Sequence, residues 1–219
     1  MRCSSDSVNR RSPDAPEWFP DWSGQTVVIV ASGPTASQAP LSLAKGKARF
    51  VVINSSWKLA PWADVLYACD YAWWAQHGGV PAFSGLKVSI DGRAASMPEW
   101  NIRHLLSNRG DDRIVLNESG RVGWGGNSGM HAFNFSVQTC PSKIILVGFD
   151  MTIKYGLHWH GKHDGNLNNP SPNNIGRWIK ALDAAAGTVA SVGVKVFNCS
   201  HVSELKKYPK MFFEDALEA

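Results

Sequence analysis

Thr26-Val27-Val28-Ile29-Val30-Ala31-Ser32-Gly33-Pro34-Thr35-Ala36-Ser37 carries the strongest fold signal in the chain. An unbroken apolar run that stops at turn residues reads as a strand buried on both faces. Gly33 allows a sharp backbone turn and close approach of a ligand. Thr35 or Ser37 can cap a following helix. A strand, a tight glycine turn and a helix start together form an anion site, because the first helical amides lack partners and the helix dipole points at the ligand. The stretch therefore predicts a nucleotide site. It has neither the full G-x-G-x-x-G fingerprint nor a Walker lysine, so it supports neither a dinucleotide fold nor a P-loop.

The same logic extends along the chain. Further strands are expected at residues 50–53, 65–69, 86–90, 114–116, 143–150 and 195–199. Helices are expected at 36–45, 71–77, 130–139 and 175–187, with a short amphipathic one after the turn at Pro209. Strands that alternate with helices predict an α/β fold of the Rossmann-like, doubly wound kind: a mainly parallel sheet with helices on both faces. We assign residues 24–219 to this single domain. Residues 1–23, rich in Ser, Pro, Asp and Arg, are expected to be a poorly ordered lead-in, with Trp18, Phe19 and Trp22 as candidates for docking. In such sheets ligands bind beyond the carboxyl ends of the strands. Ser32, Gly33, Asn54, Asp70 and Asp150 all fall at such ends.

A chain of 219 residues with 44% hydrophobic and 18% charged residues can bury a sizeable core, which excludes a disordered protein. No apolar run approaches the roughly 20 residues of a membrane helix. The polar start lacks the apolar core of a signal peptide, so a cytoplasmic location is expected. The four cysteines are scattered without a C-x-x-C, which points to free thiols. A net charge of +4 suits a phosphate-bearing ligand and permits weak nucleic-acid contact. Most of the ten tryptophans are expected in the core or at its rim; those in glycine-rich loops could stack on a base or sugar.

Three constellations can carry chemistry. Gly125-Gly126-Asn127-Ser128-Gly129 precedes a helix, where exposed amides and the Ser128 hydroxyl can hold a phosphate or ribose. His158-Trp159-His160-Gly161-Lys162-His163 places three imidazoles close together for general acid–base work. Its spacing resembles the H-x-H-x-D-H zinc motif of metallo-β-lactamase-like hydrolases. Lys162 stands where that motif has its aspartate; a charged lysine cannot ligate and would repel a second metal, so no metal ligands are assigned. Asp70 and Asp150 can orient a ribose or acceptor hydroxyl, or hold Mg2+. No G-x-S-x-G elbow is present, which argues against a serine hydrolase.

Taken together, V-V-I-V-A-S-G-P-T-A-S, V-V-I-N-S-S-W, N-S-G-M-H-A, I-I-L-V-G-F-D-M, the histidine-rich loop and V-F-N-C-S resemble phage-encoded, Rossmann-like proteins related to bacterial sialyltransferases. The same broad group includes motility-accessory-factor and 6-hydroxymethylpterin pyrophosphokinase-like proteins. The resemblance spans residues 26–209. It implies nucleotide binding by Ser32, Gly33, Pro34, Asn54, Asn127, Ser128 and Gly129, and a catalytic base among His158, His160 and His163. The chain departs from the sialyltransferase pattern in reading Ala-Ser-Gly-Pro-Thr where a second glycine and a serine are usual. It offers only Tyr155 for their phosphate-binding tyrosine pair.

The expected activity is a nucleotide-dependent transferase, a glycosyltransferase with a nucleotide-sugar donor as co-substrate, in a host cytoplasm if the gene is a phage's. Asp70 is expected to join the nucleotide site and Asp150 to join the histidines in catalysis, with Mg2+ as a candidate ion. The acceptor would be a glycan or a modified DNA base; the sequence leaves room for a homo-oligomer. The alternatives are an ATP-dependent pyrophosphokinase-like enzyme and a non-catalytic nucleotide- or nucleic-acid-binding module.

Overall fold

A computed structural model of the chain describes residues 14–163 and 167–219. Its strands in chain order are β1 Thr26–Val30, β2 Arg49–Ile53, β3 Val65–Tyr67, β4 Leu86–Ser89, β5 Ile102–His104, β6 Leu106–Asn108, β7 Arg121–Gly123, β8 Lys143–Val147 and β9 Lys195–Asn198. The α-helices are α1 Tyr71–Gln76, α2 Gly92–Ala95, α3 Ser128–Gln138, α4 Pro172–Ser191 and α5 Phe213–Glu218. Seven strands form one wholly parallel sheet in the order β5-β4-β3-β2-β1-β8-β9, and β6 and β7 form a separate parallel pair.

The opening stretch sits at the centre of this sheet. Val28 aligns with Phe50 of β2 on one side and Ile145 of β8 on the other. Val27 and Ile29 belong to one core layer with Met130 and Phe133 of α3 and Leu182 and Val189 of α4. Val28 and Val30 belong to the other, with Trp73 and Trp74 of α1 and Phe213 of α5. Alternate side chains of a strand point to opposite faces, and both faces here are covered by helices. That is why β1 reads as a continuous apolar run rather than an alternating one.

Several elements differ from the sequence reading. Residues 36–45 do not form one helix. They form two 3-10 turns, Pro34–Gln38 and Leu41–Ala44, separated where Pro40 disfavours a helical residue before it. Residues 114–116 are not a strand. The Val115 amide donates to Asn134 Oδ1 at 2.8 Å, and its carbonyl accepts from Asn134 Nδ2 at 2.7 Å and Gln138 Nε2 at 2.8 Å. Asn134 and Gln138 are spaced i, i+4 on α3 and so share a face; their amides do for this segment what a neighbouring strand would. α4 is longer than expected, because Ser171 caps it, accepting from the Asn174 amide at 3.3 Å, and Pro172 opens it.

Residues 1–13 of the lead-in lie outside the described residues, and the rest of it packs. Phe19 and Trp22 are buried, their rings 4.8 Å and 6.3 Å from that of Phe135. Cys69 and Cys199 are free thiols. Among the described residues, no helix is long and apolar enough to cross a membrane.

Candidate functional site

The chain runs outward from β1 through β2, β3 and β4 to β5, then returns to place β8 on the other side of β1. The loops after β1 and β8 therefore leave in opposite directions and open a crevice at the carboxyl edge, the usual ligand position in such sheets. A cavity of about 480 Å³ occupies it, within the range of small-molecule sites. Ser32 and Gly33 after β1, Asn54 after β2, Asp70 after β3, and Asp150 and Met151 after β8 line its floor. Asn127, Ser128 and Gly129 line it from α3; Asn174 and Trp178 line it from α4. His158, His163 and Asn169 approach from the loop between β8 and α4. The predicted residues thus converge on one space, except that Pro34 and His160 do not line it. Tyr155 does not line it either and is 64% exposed.

The first turn works differently from its reading as a phosphate cradle. Gly33 has φ −59°, an ordinary value for any residue. It must be glycine for space: a Cβ there would lie 2.5 Å from the Gly148 carbonyl oxygen and 2.7 Å from Asp150 Cγ. The Gly33 amide donates to the Gly148 carbonyl at 2.9 Å. Neither Thr35 nor Ser37 caps the turn that follows. Instead the Thr35 amide donates to Asp150 Oδ2 at 2.9 Å, and the Thr35 hydroxyl donates to Oδ1. The anion at this helical start is the chain's own carboxylate, and it locks the β1 turn to the β8 turn. Asp150 is only 2% exposed. Burial pushes its carboxyl pKa up, and the two Thr35 hydrogen bonds pull it back in part.

In the second glycine loop the Gly126 amide is spent on the Trp124 carbonyl and the Gly125 amide on Asp112, while the amides of Ser128 and Gly129 open α3. Asn127 Oδ1 accepts from the Met130 amide at 2.9 Å and caps α3. The Ser128 and Gly129 amides precede any intrahelical acceptor, and both residues face the cavity. Gly125 and Gly126 take left-handed φ values of 50° and 74°, which glycine adopts without a Cβ penalty. Trp178 pins the loop through an indole N–H to the Gly126 carbonyl at 2.9 Å. The Ser128 hydroxyl donates to Cys69 Sγ at 3.1 Å, and the Cys69 thiol donates to Asp70 at 3.2 Å. Burial and the neighbouring Asp70 push this thiol far up, so Cys69 is not a thiolate nucleophile.

Asn54 and Met151 both have φ 50°. Asparagine tolerates the left-handed region and methionine does so at some cost. Such residues concentrate where surrounding structure enforces a site; Asn54 follows β2 directly, and Met151 lies four residues beyond the end of β8.

Trp159 anchors the histidine loop to the opening turn. Its amide donates to the Ser32 carbonyl at 3.0 Å, and its indole N–H donates to Ser56 Oγ at 3.1 Å. Asn169 clasps the other end, accepting from the His163 amide at 2.9 Å and donating to the His163 carbonyl at 3.2 Å. The rings of His158 and His160 stack at 5.2 Å, and His163 lies 4.4 Å and 4.9 Å from them. Burial lowers the pKa of His158 to about 4, helped by its two imidazole neighbours. Burial and His163 lower that of His160. Trp159→Phe keeps the ring but loses the bond to Ser56. It is expected to lower stability by about 1 kcal/mol, read as a shifted urea midpoint at unchanged slope.

No family model, curated protein or solved structure matches the chain. Sequence reading missed three contributors. Asn169 belongs to a polar, asparagine-rich stretch and clasps His163 within it, and Trp178 belongs to the helix after it, with its partner Gly126 far away in sequence. His131 is the third; its only sequence signal was its place three residues after Ser128, on the same helix face. It is buried, and its Nδ1 lies 2.9 Å from the Tyr67 hydroxyl.

Proposed function

We propose that the chain is a nucleotide-dependent transferase, a glycosyltransferase that takes a sugar from a nucleotide-activated donor. The observation that carries this reading is the meeting of the α3 amides, the strand-end polar residues and the histidine loop around one cavity at the sheet's switch point. The donor's phosphate would sit at Ser128 and Gly129. Asn54 and Asp70 would meet the ribose or base. His158 or His163 would accept the acceptor hydroxyl's proton, as a neutral imidazole can. Asp150 is better suited to holding the two turns together than to direct chemistry. No lysine or arginine is found among the described lining residues. Helix amides and imidazoles alone suit one or two phosphates better than a triphosphate, which favours a nucleotide sugar over ATP.

The test is a thermal-shift and nucleotide-release panel of CMP-, UDP- and GDP-sugars, with ATP alongside. A true donor at about 100 times its Kd raises stability by about 2.7 kcal/mol. If no nucleotide shifts the melting temperature and none is released, the reading is wrong. Ser128→Pro gives a sharper check. Proline is at home in the first helical position, and Asn127 already has the extended backbone that proline requires of its predecessor. The variant should fold, losing one phosphate-facing amide together with the hydroxyl that donates to Cys69, and Ser128→Ala, which loses only the hydroxyl, isolates the amide's share. We expect donor affinity to fall roughly tenfold, the loss of one hydrogen bond to a charged group.

A further inference from the structure

We propose that His158, His160 and His163 form a mononuclear site for a divalent first-row transition metal, with Zn2+ the ion their chemistry fits best. One ligand nitrogen from each of the three lies within 4.8 Å of the other two. A tetrahedral zinc with Zn–N bonds of about 2.0–2.1 Å would bring such nitrogens to roughly 3.3 Å apart. Closing that difference requires the three rings to turn toward a common centre.

The second observation concerns unmet polar atoms. The Nε2 atoms of His158 and His160 are buried with no hydrogen-bond partner. A buried polar nitrogen left this way is unfavourable, and a metal bond would satisfy it.

The frame around the cluster is built rather than loose. Trp159 fixes His158 and His160 from between them, through Ser32 and Ser56. Asn169 fixes His163. Such outer partners orient metal-binding histidines and set affinity. Three protein ligands leave one coordination position open, as in catalytic zinc sites. His158 and His163 line the cavity while His160 does not, so the open position faces the proposed substrate. Imidazole ligands select zinc and its neighbours over Mg2+, which prefers oxygen. Lys162 is exposed, and Lys58 acts on His160 from another element. These charges, and the lack of any second ligand cluster among the described residues, limit the site to one metal.

The proposal does not need the nucleotide reading: with a metal bound, His158 and His163 would serve as its ligands and not as the acceptor's base, and the test contains no nucleotide. Purified full-length chain, stripped with a chelator, is titrated with Co2+ and followed in the visible. Zn2+ affinity is measured by competition with a chromophoric chelator. One equivalent of Co2+ should give the ligand-field bands of a four- or five-coordinate site, and one equivalent of Zn2+ should displace it. His158→Ala, His160→Ala and His163→Ala should each weaken Zn2+ binding by more than the roughly 10–100-fold that losing an outer-shell partner costs. Asn169→Ala should fall within that range. His104→Ala, at an exposed histidine outside the cluster, should change nothing. Circular dichroism checks that each variant folds; should one not fold, the wild-type Co2+ spectrum and stoichiometry still decide. Absence of those bands, or a triple variant that binds Zn2+ as tightly as wild type, overturns the site.

Discussion

Gly33→Ala is expected to destabilise the fold by about 3 kcal/mol, the upper end of the overpacking range. The added Cβ would meet the Gly148 carbonyl oxygen at 2.5 Å and the Asp150 carboxyl carbon at 2.7 Å. Neither can yield cheaply. The first is backbone beside the central strand, and the second is a buried carboxylate held by Thr35. Any relief must separate the β1 turn from the β8 turn, and that gap is the crevice itself. The same substitution should therefore abolish nucleotide-induced stabilisation in whatever protein still folds. Urea unfolding of wild type and variant measures the first effect, and a thermal shift with donor measures the second. Gly176→Ala serves as the control. Nothing lies within 4 Å of its Cβ position, and it sits inside α4, where alanine is the better helix former by roughly 1 kcal/mol. That variant should be slightly more stable and should bind normally. A Gly33→Ala protein as stable as wild type would show that the two turns are not locked together.

The contrast between these glycines indicates what sequence can and cannot reveal. The doubly wound sheet was legible because its central strands are uniform apolar runs, a signal that depends only on burial at both faces. The location of the site was legible for a related reason. Ser32, Asn54, Asp70 and Asp150 interrupt those runs at one edge, and parallel strands put all such interruptions on one side. The role of each residue was not legible. Gly33 and Thr35 looked like a phosphate turn, but Asp150, 115 residues beyond Thr35, already fills that place. A local motif carries no sign of a distant side chain that satisfies it. The same blindness hid the segment around Val115. Its β-branched residues suggested a strand, while Asn134 and Gln138 on α3 supply its hydrogen bonds. For the histidine loop, spacing alone suggested either a base or a metal site, and Lys162 argued against metal. The fold turns Lys162 outward while the three imidazoles converge.

His131 leads to the second large effect, a loss of stability in mild acid. Its ring is fully buried between Tyr67 and Trp124, and its Nε2 has no hydrogen-bond partner. Burial pushes its pKa from the usual 6.5 down to about 4, with the Trp124 carbonyl exerting only a weak upward pull. The native state thus holds His131 neutral where the unfolded chain would protonate it. This contribution to stability is complete above about pH 6.5 and is lost as pH falls toward 4. A shift of that size corresponds to about 3 kcal/mol, most of it gone by about pH 4.5. Other carboxylates and histidines titrate over the same range, so the useful quantity is a difference. His131→Gln keeps a polar group for the Tyr67 hydroxyl but cannot gain the proton. The stability gap between wild type and His131→Gln, from urea unfolding at about pH 7 and about pH 4.5, should shift by about 2.5 kcal/mol against wild type at the lower pH. A gap independent of pH would mean that His131 is not held neutral by burial. The consequence reaches the site through geometry. His131 and Ser128 lie on one face of α3, and Trp124 and His131 both line the cavity. A proton forced onto His131 would strain the wall that presents the Ser128 and Gly129 amides. Donor binding should therefore weaken in acid before the protein unfolds, and it should do so less in His131→Gln.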